Sequence, residues 1–196
     1  YIVYSSYPFA FQISFFMKME YNRENEVLYM KAKIELIRID NRLVHGQVGI
    51  TWGSTLNIDT IVVVDDGTAQ SIFAQKLMQS VATAANRQIR FYTVNDFIQA
   101  VKEQESHQKL FVVVQSPREA RLLTEAGLEL TKINVGNIHY ERGRVPFNRK
   151  VYLTKQDIED MNYMVEKGID LFYQDVPGTT VEKIGFLDYE SMKKRR

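Results

Sequence analysis

From Lys33 onward, short runs of apolar and often β-branched residues alternate with longer segments whose apolar residues recur at helical spacing. A strand that reads as an uninterrupted apolar run is buried on both faces, which is typical of a parallel sheet covered by helices. The alternation predicts one α/β domain, built on a single doubly wound, mainly parallel open sheet of about seven strands with helices on both faces.

Seven segments have the composition of buried strands, namely residues 34–39, 60–64, 89–93, 110–114, 132–135, 150–153 and 170–173. Residues 69–84 have helical periodicity, and one face of that helix carries Ile72, Phe73, Leu77 and Val81. Side-chain oxygens that can cap a helix predict further helix starts. The capping residues are Thr93 or Asn95, Ser116 before Pro117, and Thr154.

The charged residues are nearly balanced, with 25 Lys+Arg against 24 Asp+Glu and a formal net charge of +1. There is no basic excess to attract a phosphate backbone, so the composition argues against nucleic-acid binding. The absence of cysteine excludes a disulfide scaffold, a thiolate nucleophile and a cysteine zinc site. A chain without disulfides suits a reducing compartment, and the cytoplasm is the expected location.

Residues 1–30 do not share the pattern of the rest of the chain. They are rich in aromatics and have no cationic start before their apolar stretch, which makes them a poor signal peptide. Pro8 and several polar residues interrupt that stretch, so it does not predict a membrane-spanning helix. Since Met30 lies just before the first predicted strand, we expect a non-native leader or tag at 1–30 and a domain at 31–196.

Ligands of open α/β sheets bind beyond the carboxyl ends of the strands, so the residues that follow each strand are candidates for chemistry. Polar residues concentrate in four such loops, at 40–47, 65–67, 134–139 and 174–178. The first loop combines Asp40, Arg42 and His45, and a helix is expected to open at Gly46 and Gln47.

The 40–47 loop has the residue types that phosphoryl transfer needs. A neutral imidazole, with a pKa of about 6.5 in water, can attack phosphorus near neutral pH. The amino end of the following helix offers backbone N–H groups to phosphoryl oxygens, Arg42 adds fixed positive charge, and Asp40 can orient the ring of His45. A single loop histidine is more often structural, so the residues alone also allow a non-catalytic binding module.

The remaining loops point to other classes of protein only weakly. Asp65 or Asp66 could accept a phosphoryl group in a magnesium-dependent signalling receiver, but an aspartate in this position more often caps a helix. The chain lacks GxxxxGK[ST] and GxGxxG, which disfavours a nucleotide-binding enzyme. His45, His107 and His139 lack metal-ligand spacing, so neither a metal nor a cofactor is predicted.

The first loop resembles the active-site segment of the IIB components of the mannose/fructose/sorbose family of the bacterial sugar phosphotransferase system. The resemblance is carried by Arg38-Ile39-Asp40-Asn41-Arg42-Leu43-Val44-His45-Gly46-Gln47-Val48. Supporting similarity follows in the same order at residues 62–66, 75–78, 133–137 and 174–177, and extends over about residues 33 to 190. The pairs Asp40-Asn41 and Thr51-Trp52, with Asn137 and His139, are most similar to the N-acetylgalactosamine or galactosamine branch.

The resemblance implies roles for the loop residues. His45 receives a phosphoryl group from a histidine of a partner IIA component and passes it onward. Arg42 falls on the family arginine that steadies the phosphoryl group, and Gly46 and Gln47 fall on the loop that shapes the pocket. The exchange of one phosphohistidine for another implies neither a metal nor a cofactor.

The resemblance also implies partners and a location. The final acceptor is a sugar held by the membrane IIC and IID components, namely N-acetylgalactosamine or another hexosamine, with mannose, fructose and sorbose as alternatives. The protein would be a cytoplasmic phosphocarrier that associates peripherally with the membrane through IIC and IID. The family resemblance also allows a homodimer.

The sequence departs from the family pattern at two positions. Asn41 stands where many mannose-branch members have a second acid, and Ala74 stands near the position of an arginine that helps to hold phosphate. Either Arg42 and the helix amides are enough without that arginine, or Lys76 or another cation substitutes for it.

Overall fold

The computed structural model describes residues 32–103 and 106–194, without the side chains of residues 47–50. The strands are β1 (Lys33–Ile39), β2 (Thr60–Val64), β3 (Gln88–Tyr92), β4 (Lys109–Val114), β5 (Lys132–Val135), β6 (Val145–Pro146), β7 (Tyr152–Leu153), β8 (Asp170–Tyr173) and β9 (Glu182–Ile184). The helices are α1 (Gly46–Thr55), α2 (Asp66–Gln70), α3 (Ile72–Ala84), α4 (Val94–Glu103), α5 (Pro117–Glu125), α6 (Lys155–Glu166) and α7 (Tyr189–Lys194). The leader predicted at residues 1–30 lies outside the described residues.

The main sheet contains seven strands in the order β3-β2-β4-β1-β5-β8-β9. Neighbouring strands are parallel except for β9, which pairs antiparallel with β8 at one edge. The chain leaves β1 toward β2 on one side and leaves β5 toward β8 on the other, which opens a crevice between the two loops. The prediction of a doubly wound, mainly parallel sheet is confirmed.

The seventh strand of the sheet is not the one that the sequence predicts. The predicted strand at 150–153 contributes only β7, which pairs antiparallel with β6 in a separate two-stranded ribbon. The seventh place belongs to β9, whose glutamate and lysine are exposed and whose isoleucine is buried. An edge strand buries fewer side chains than a central one, so its sequence lacks the continuous apolar run that predicts a buried strand.

Two core layers cover the faces of the sheet. On one face, buried strand residues pack against α1 and α3 through Trp52 and Ala82. On the other face they pack against α4, α5 and α6 through residues such as Phe97, Leu123 and Met161. The central strands β2 and β4 are therefore buried on both sides, which is the physical reason that their sequences are almost continuously apolar.

The helix predicted over residues 69–84 is two helices. Ser71 has extended backbone between α2 and α3, and its side-chain oxygen accepts a hydrogen bond from the backbone N–H of Ala74. Serine caps a helix well because its oxygen satisfies an N–H of the first turn, so the second helix begins anew there. The other predicted starts are confirmed at Ser116 and Thr154, while Thr93 rather than Asn95 caps α4.

The apolar face predicted for this segment is mostly not the buried one. Ile72, Phe73 and Leu77 are 70%, 74% and 56% exposed. The side of α3 that packs on the sheet instead carries Ala82 and its partly buried neighbours Met78 and Val81. Apolar periodicity identified the helix, but the packing of α3 against α1 decided which side faces the core.

Candidate functional site

The loop between β1 and α1 places His45 at the start of a helix. His45 is the N-cap of α1, with extended backbone (φ −148°, ψ 150°) and no capping hydrogen bond from its ring. Leu43 before it and Gly46 after it have left-handed backbone, with φ of 55° and 44°. These two bends bring His45 to the amino end of α1, where the first N–H groups have no helical partner.

Leu43 holds an unfavourable conformation for a leucine, because left-handed backbone crowds a side chain with a Cβ. Two contacts hold it: its side chain is buried in the core at 3% exposure, and its N–H donates to the carbonyl of Asp40 at 2.9 Å. Backbone strain of this kind persists where the surrounding structure enforces it, and it clusters at functional sites.

Gly46 and Gln47, predicted to form the phosphoryl-binding loop, are the first two residues of α1. Glycine suits the left-handed conformation of Gly46 because it has no Cβ. The side chain of Gln47 lies outside the described part of the structure. Both residues place backbone N–H groups in the first helical turn, which is where anions bind to a helix.

The imidazole of His45 is half-buried and makes one hydrogen bond. Its Nδ1 lies 2.9 Å from the carbonyl oxygen of Leu43. A carbonyl can only accept, so a neutral ring carries its proton on Nδ1 and its lone pair on Nε2. Nε2 is buried and has no hydrogen-bond partner among the residues that the structure describes.

Asp40 is fully buried and does not hold the ring of His45 directly. One carboxylate oxygen accepts from the backbone N–H of Arg42 at 3.2 Å, and the other accepts from the guanidinium of Arg38. The imidazole is instead held by the carbonyl of Leu43. Asp40 therefore orients the backbone of the loop. The predicted effect of Asp40 on the orientation of the imidazole ring passes through that backbone.

Arg42 is exposed and lies against the loop after β5. The N–H of Asn41 donates to the carbonyl of Asn137 at 2.8 Å. With the Asn137 amide oriented so that its nitrogen donates to the carbonyl of Lys150, its oxygen accepts from Arg42 Nε at 3.3 Å and from His139 Nε2 at 2.9 Å. The loops after β1 and β5, which the sequence singles out separately, are thus joined at the crevice.

The loop after β8 reaches the same region. The indole N–H of Trp52 donates to the carbonyl of Asp175 at 3.3 Å, and the ammonium of Lys150 pairs with the Asp175 carboxylate. Burial, together with the nearby Asp175 charge, raises the pKa of Tyr173 above its ordinary value. Three of the four predicted loops therefore meet at the crevice between β1 and β5.

Arg38 is a residue of this region to which the sequence assigns no role. It lies inside β1 at 0% exposure, paired with Asp40, and it also donates to the side chain of Asn134 and the carbonyl of Gln174. Its signal in the sequence is an arginine between two isoleucines in the apolar half of β1, because a buried charge requires a specific partner.

The fourth loop, at residues 65–67, has a structural function. Asp65 is the N-cap of α2, and its carboxylate accepts from the N–H of Thr68 at 2.7 Å. The Asp66 carboxylate accepts from the N–H of Val94 at the start of α4, at 2.9 Å. Both carboxylates are engaged with helix amino ends, so the cap that the sequence favours is confirmed.

We expect Asp65→Ala to lower the free energy of unfolding by about 0.5–2 kcal/mol, because the N–H of Thr68 loses its acceptor. Asp65→Asn is the matched control, since asparagine caps helices as well as aspartate does. Urea denaturation of both variants measures the difference. Equal stability of the alanine and asparagine variants would contradict the capping role.

The described residues form neither a metal-binding cluster nor a membrane-spanning helix. No group of three or more His, Asp or Glu side chains in 32–103 and 106–194 is arranged to hold a metal ion. In the same ranges, no helix combines the length and apolar character that crossing a bilayer requires.

Ala74 lies half-buried in the first turn of α3, and Lys76, two positions later in the chain, is exposed. Two other cations lie beside the Arg42 contact. Arg144 donates to the carbonyl of His139 at 2.8 Å, and Lys150 pairs with Asp175. Arg144 and Lys150 are therefore further candidates for a cation that replaces the family arginine.

Comparisons with known proteins point to one family. Residues 34–195 match the model of the phosphotransferase system sorbose subfamily IIB component. The chain is 43% identical over 151 residues to the N-acetylgalactosamine-specific phosphotransferase enzyme IIB component 1 of Escherichia coli K12, covering 77% of this chain and 96% of the relative. The chain is also 33% identical over 144 residues to the N-acetylgalactosamine-specific phosphotransferase enzyme IIB component 2 of the same strain, covering 74% of this chain and 91% of that relative.

A solved structure agrees with these sequence relatives. The crystal structure of the N-acetylgalactosamine-specific IIB component 1 from Escherichia coli superposes with a TM-score of 0.75 at 43% identity. The match covers 78% of this chain and 99% of that one. The resemblance drawn from the loop motif is thus confirmed over most of the described domain.

Proposed function

Because this chain belongs to the sorbose subfamily of phosphotransferase system IIB components, we propose that it is a phosphocarrier that accepts a phosphoryl group on His45 and passes it to a sugar. The observation that carries the proposal is the position of His45 at the amino end of α1, in the crevice of the sheet and three residues from the exposed Arg42. Oriented amides and a guanidinium stabilise phosphoryl charge without a metal.

Two displacements at phosphorus make up the proposed cycle. In the first, a ring nitrogen of His45 forms a P–N bond while the P–N bond of the donor histidine breaks, and the electron pair of that bond returns to the donor ring. In the second, a sugar hydroxyl oxygen attacks phosphorus, the electron pair returns to the His45 ring, and the hydroxyl proton is released. Arg42 and the first-turn amides hold the phosphoryl oxygens in both steps.

The ring of His45 has to move before the first step. Nδ1 is committed to the carbonyl of Leu43, and Nε2 is buried. A donor therefore reaches a lone pair only after the ring turns or the loop shifts. Phosphohistidine nitrogen-15 NMR would identify which ring nitrogen is freed and carries the phosphorus.

The partners follow from the subfamily. We propose a IIA component as donor and membrane IIC and IID components as holders of the sugar, with this chain acting from the cytoplasm and docking peripherally on them. The sugar is N-acetylgalactosamine or another hexosamine, since two relatives carry the former in their names. Mannose, fructose and sorbose are the comparison sugars in a transfer assay on IIC/IID membranes, and a homodimer stays a prediction.

The first experiment is labelling by a phosphorylated IIA component of the subfamily, followed by mass spectrometry. We expect one phosphoryl group on His45, which is lost in acid and persists in alkali, as expected of a phosphoramidate. A magnesium-dependent label on Asp65 or Asp66 that is lost in alkali would instead support the signalling receiver. No label from any donor would support a non-catalytic module.

We expect Arg42→Ala to slow phosphoryl transfer while the protein stays folded, because an exposed cation contributes less than about 1 kcal/mol to stability. Arg42→Lys should recover only part of the rate, since an ammonium lacks the planar two-pronged contact of a guanidinium. Transfer rates and melting curves of both variants test this. A fall in the melting temperature of Arg42→Ala as marked as its fall in transfer rate would contradict this prediction. So would full recovery of the transfer rate in Arg42→Lys.

A further inference from the structure

The side chain of Arg38 occupies a position where charge is costly. It lies at 0% exposure in the central strand β1, and burial lowers the pKa of its guanidinium while the nearby Asp40 opposes that shift. Its Nε and one terminal nitrogen both donate to the same Asp40 oxygen, at 3.3 Å and 2.9 Å. A buried ion pair of this kind is weak evidence of a contribution to stability, because an apolar pair of similar size often stabilises a protein equally well.

The same guanidinium reaches the other side of the crevice. Its second terminal nitrogen donates to the Asn134 side-chain oxygen in β5 and, at 3.0 Å, to the carbonyl of Gln174 after β8. The Asn134 amide donates to that same carbonyl at 3.2 Å. The ring of Trp52 lies 5.6 Å from the guanidinium carbon. One side chain thus joins β1, β5, α1 and the loop after β8.

A chain of hydrogen bonds runs from Arg38 to the imidazole. Arg38 holds the carboxylate of Asp40, which accepts from the backbone N–H of Arg42. The carbonyl of Asp40 accepts from the N–H of Leu43, and the carbonyl of Leu43 accepts from Nδ1 of His45. The four hydrogen bonds measure 2.9 to 3.2 Å, so they connect the position of the guanidinium to that of the loop that carries His45 and Arg42.

The backbone beside Arg38 is shaped around it. A Cβ at Gly136 would overlap the carbon and two nitrogens of the guanidinium. Glycine is therefore required here by the side chain of Arg38, not by a left-handed φ. The loop after β5, which also carries Asn137 against Arg42, is seated on the same guanidinium.

We propose that Arg38 is a positioning residue for phosphoryl transfer: by holding Asp40, Asn134 and the Gln174 carbonyl together, it fixes the loop that orients His45 and Arg42. The proposal rests on the proposed function of His45. Arg38 acts through its neighbours and touches no phosphorus. A misplacement of reacting groups by about 1 Å can cost on the order of 100-fold in rate, so a positioning role is visible in kinetics.

The test compares Arg38→Lys and Asn134→Ala with wild type. Arg38→Lys keeps the charge but cannot reach all three partners at once, and Asn134→Ala removes one acceptor while the Arg38–Asp40 pair remains. Arg121→Gln is the matched control, because Arg121 is also an ion-paired arginine, but its partners are Glu125 and Asp160 on α5 and α6.

The first readout is the tautomer of neutral His45, measured by nitrogen-15 NMR without any donor. We expect the Nδ1–H form in wild type and in Arg121→Gln, and a shift toward the Nε2–H form of a free histidine in both test variants. The second readout is transfer from phosphorylated IIA. We expect kcat to fall by about 10- to 100-fold while KM for the donor stays within about twofold.

The two readouts separate the claims. Folded test variants with a wild-type tautomer and a wild-type kcat would overturn the positioning role, and so would a change in KM alone. If Arg38→Lys does not fold, Asn134→Ala decides by the same criteria. A wild-type protein that takes no phosphoryl group would refute the proposed function, while the donor-free tautomer measurement still shows whether Arg38 orients the ring.

Discussion

We expect His45→Ala to take up no phosphoryl group from a phosphorylated IIA component and to remain folded. The ring supplies the nucleophile of the first proposed step, so its removal should abolish labelling instead of slowing it. The substitution should lower the free energy of unfolding only slightly. The half-buried ring makes one hydrogen bond, to the carbonyl of Leu43, and a typical intramolecular hydrogen bond contributes about 1 kcal/mol.

Two other histidines provide the controls. His107 is exposed in the connection between α4 and β4, so His107→Ala should label as wild type does. His139 contacts the Asn137 amide that meets Arg42, so His139→Ala should still label fully, though more slowly. Intact-mass measurement over time and thermal melting follow all three variants. A label that survives in folded His45→Ala would remove the basis of the proposed function.

Arg38→Met is expected to lower the free energy of unfolding by about 3–5 kcal/mol, because it leaves the fully buried carboxylate of Asp40 without its charged partner. The double variant Arg38→Met/Asp40→Leu should recover most of that loss, since no charge then remains buried. Urea denaturation of the two single variants and the double variant measures the coupling between the residues.

Activity separates stability from positioning in this series. The double variant should be stable but slow in transfer, because the backbone N–H of Arg42 has lost its acceptor and no guanidinium joins β1 to Asn134 of β5. A double variant as unstable as Arg38→Met would show that the ion pair is not the source of the loss. A stable double variant with wild-type transfer would show that the buried pair has no role in the reaction.

The central strands could be predicted from local sequence because their burial is a local property. Strands β2, β5 and β8 have the predicted bounds; every residue of β2 and three of the four residues of β5 are buried. The edge strand β9 could not be found in this way, since only one of its three residues is buried. The buried side of α3 was also hidden, because Ile72, Phe73 and Leu77 look like a core face until α1 and the sheet are in place.

The reactive residues were accessible from sequence for a different reason. His45 and Arg42 follow a strand within one short loop. Their motif and its family can be recognised without knowing which distant residues contact them. The support for that loop was not accessible. Arg38 meets Asn134 and Gln174 across 96 and 136 positions of the chain, distances at which single-sequence periodicity holds no information.

The sequence by itself determined the doubly wound sheet, the caps at Asp65, Ser116 and Thr154, and the candidacy of His45 and Arg42 for phosphoryl transfer. These depend on apolar runs, on side chains that bond within three residues, and on a contiguous motif. The tertiary structure alone decided that Asp40 supports the loop through Arg38 and that three loops meet at the crevice. Such contacts exist only once strands far apart in sequence lie side by side, which excludes water and obliges a buried charge to find its partners.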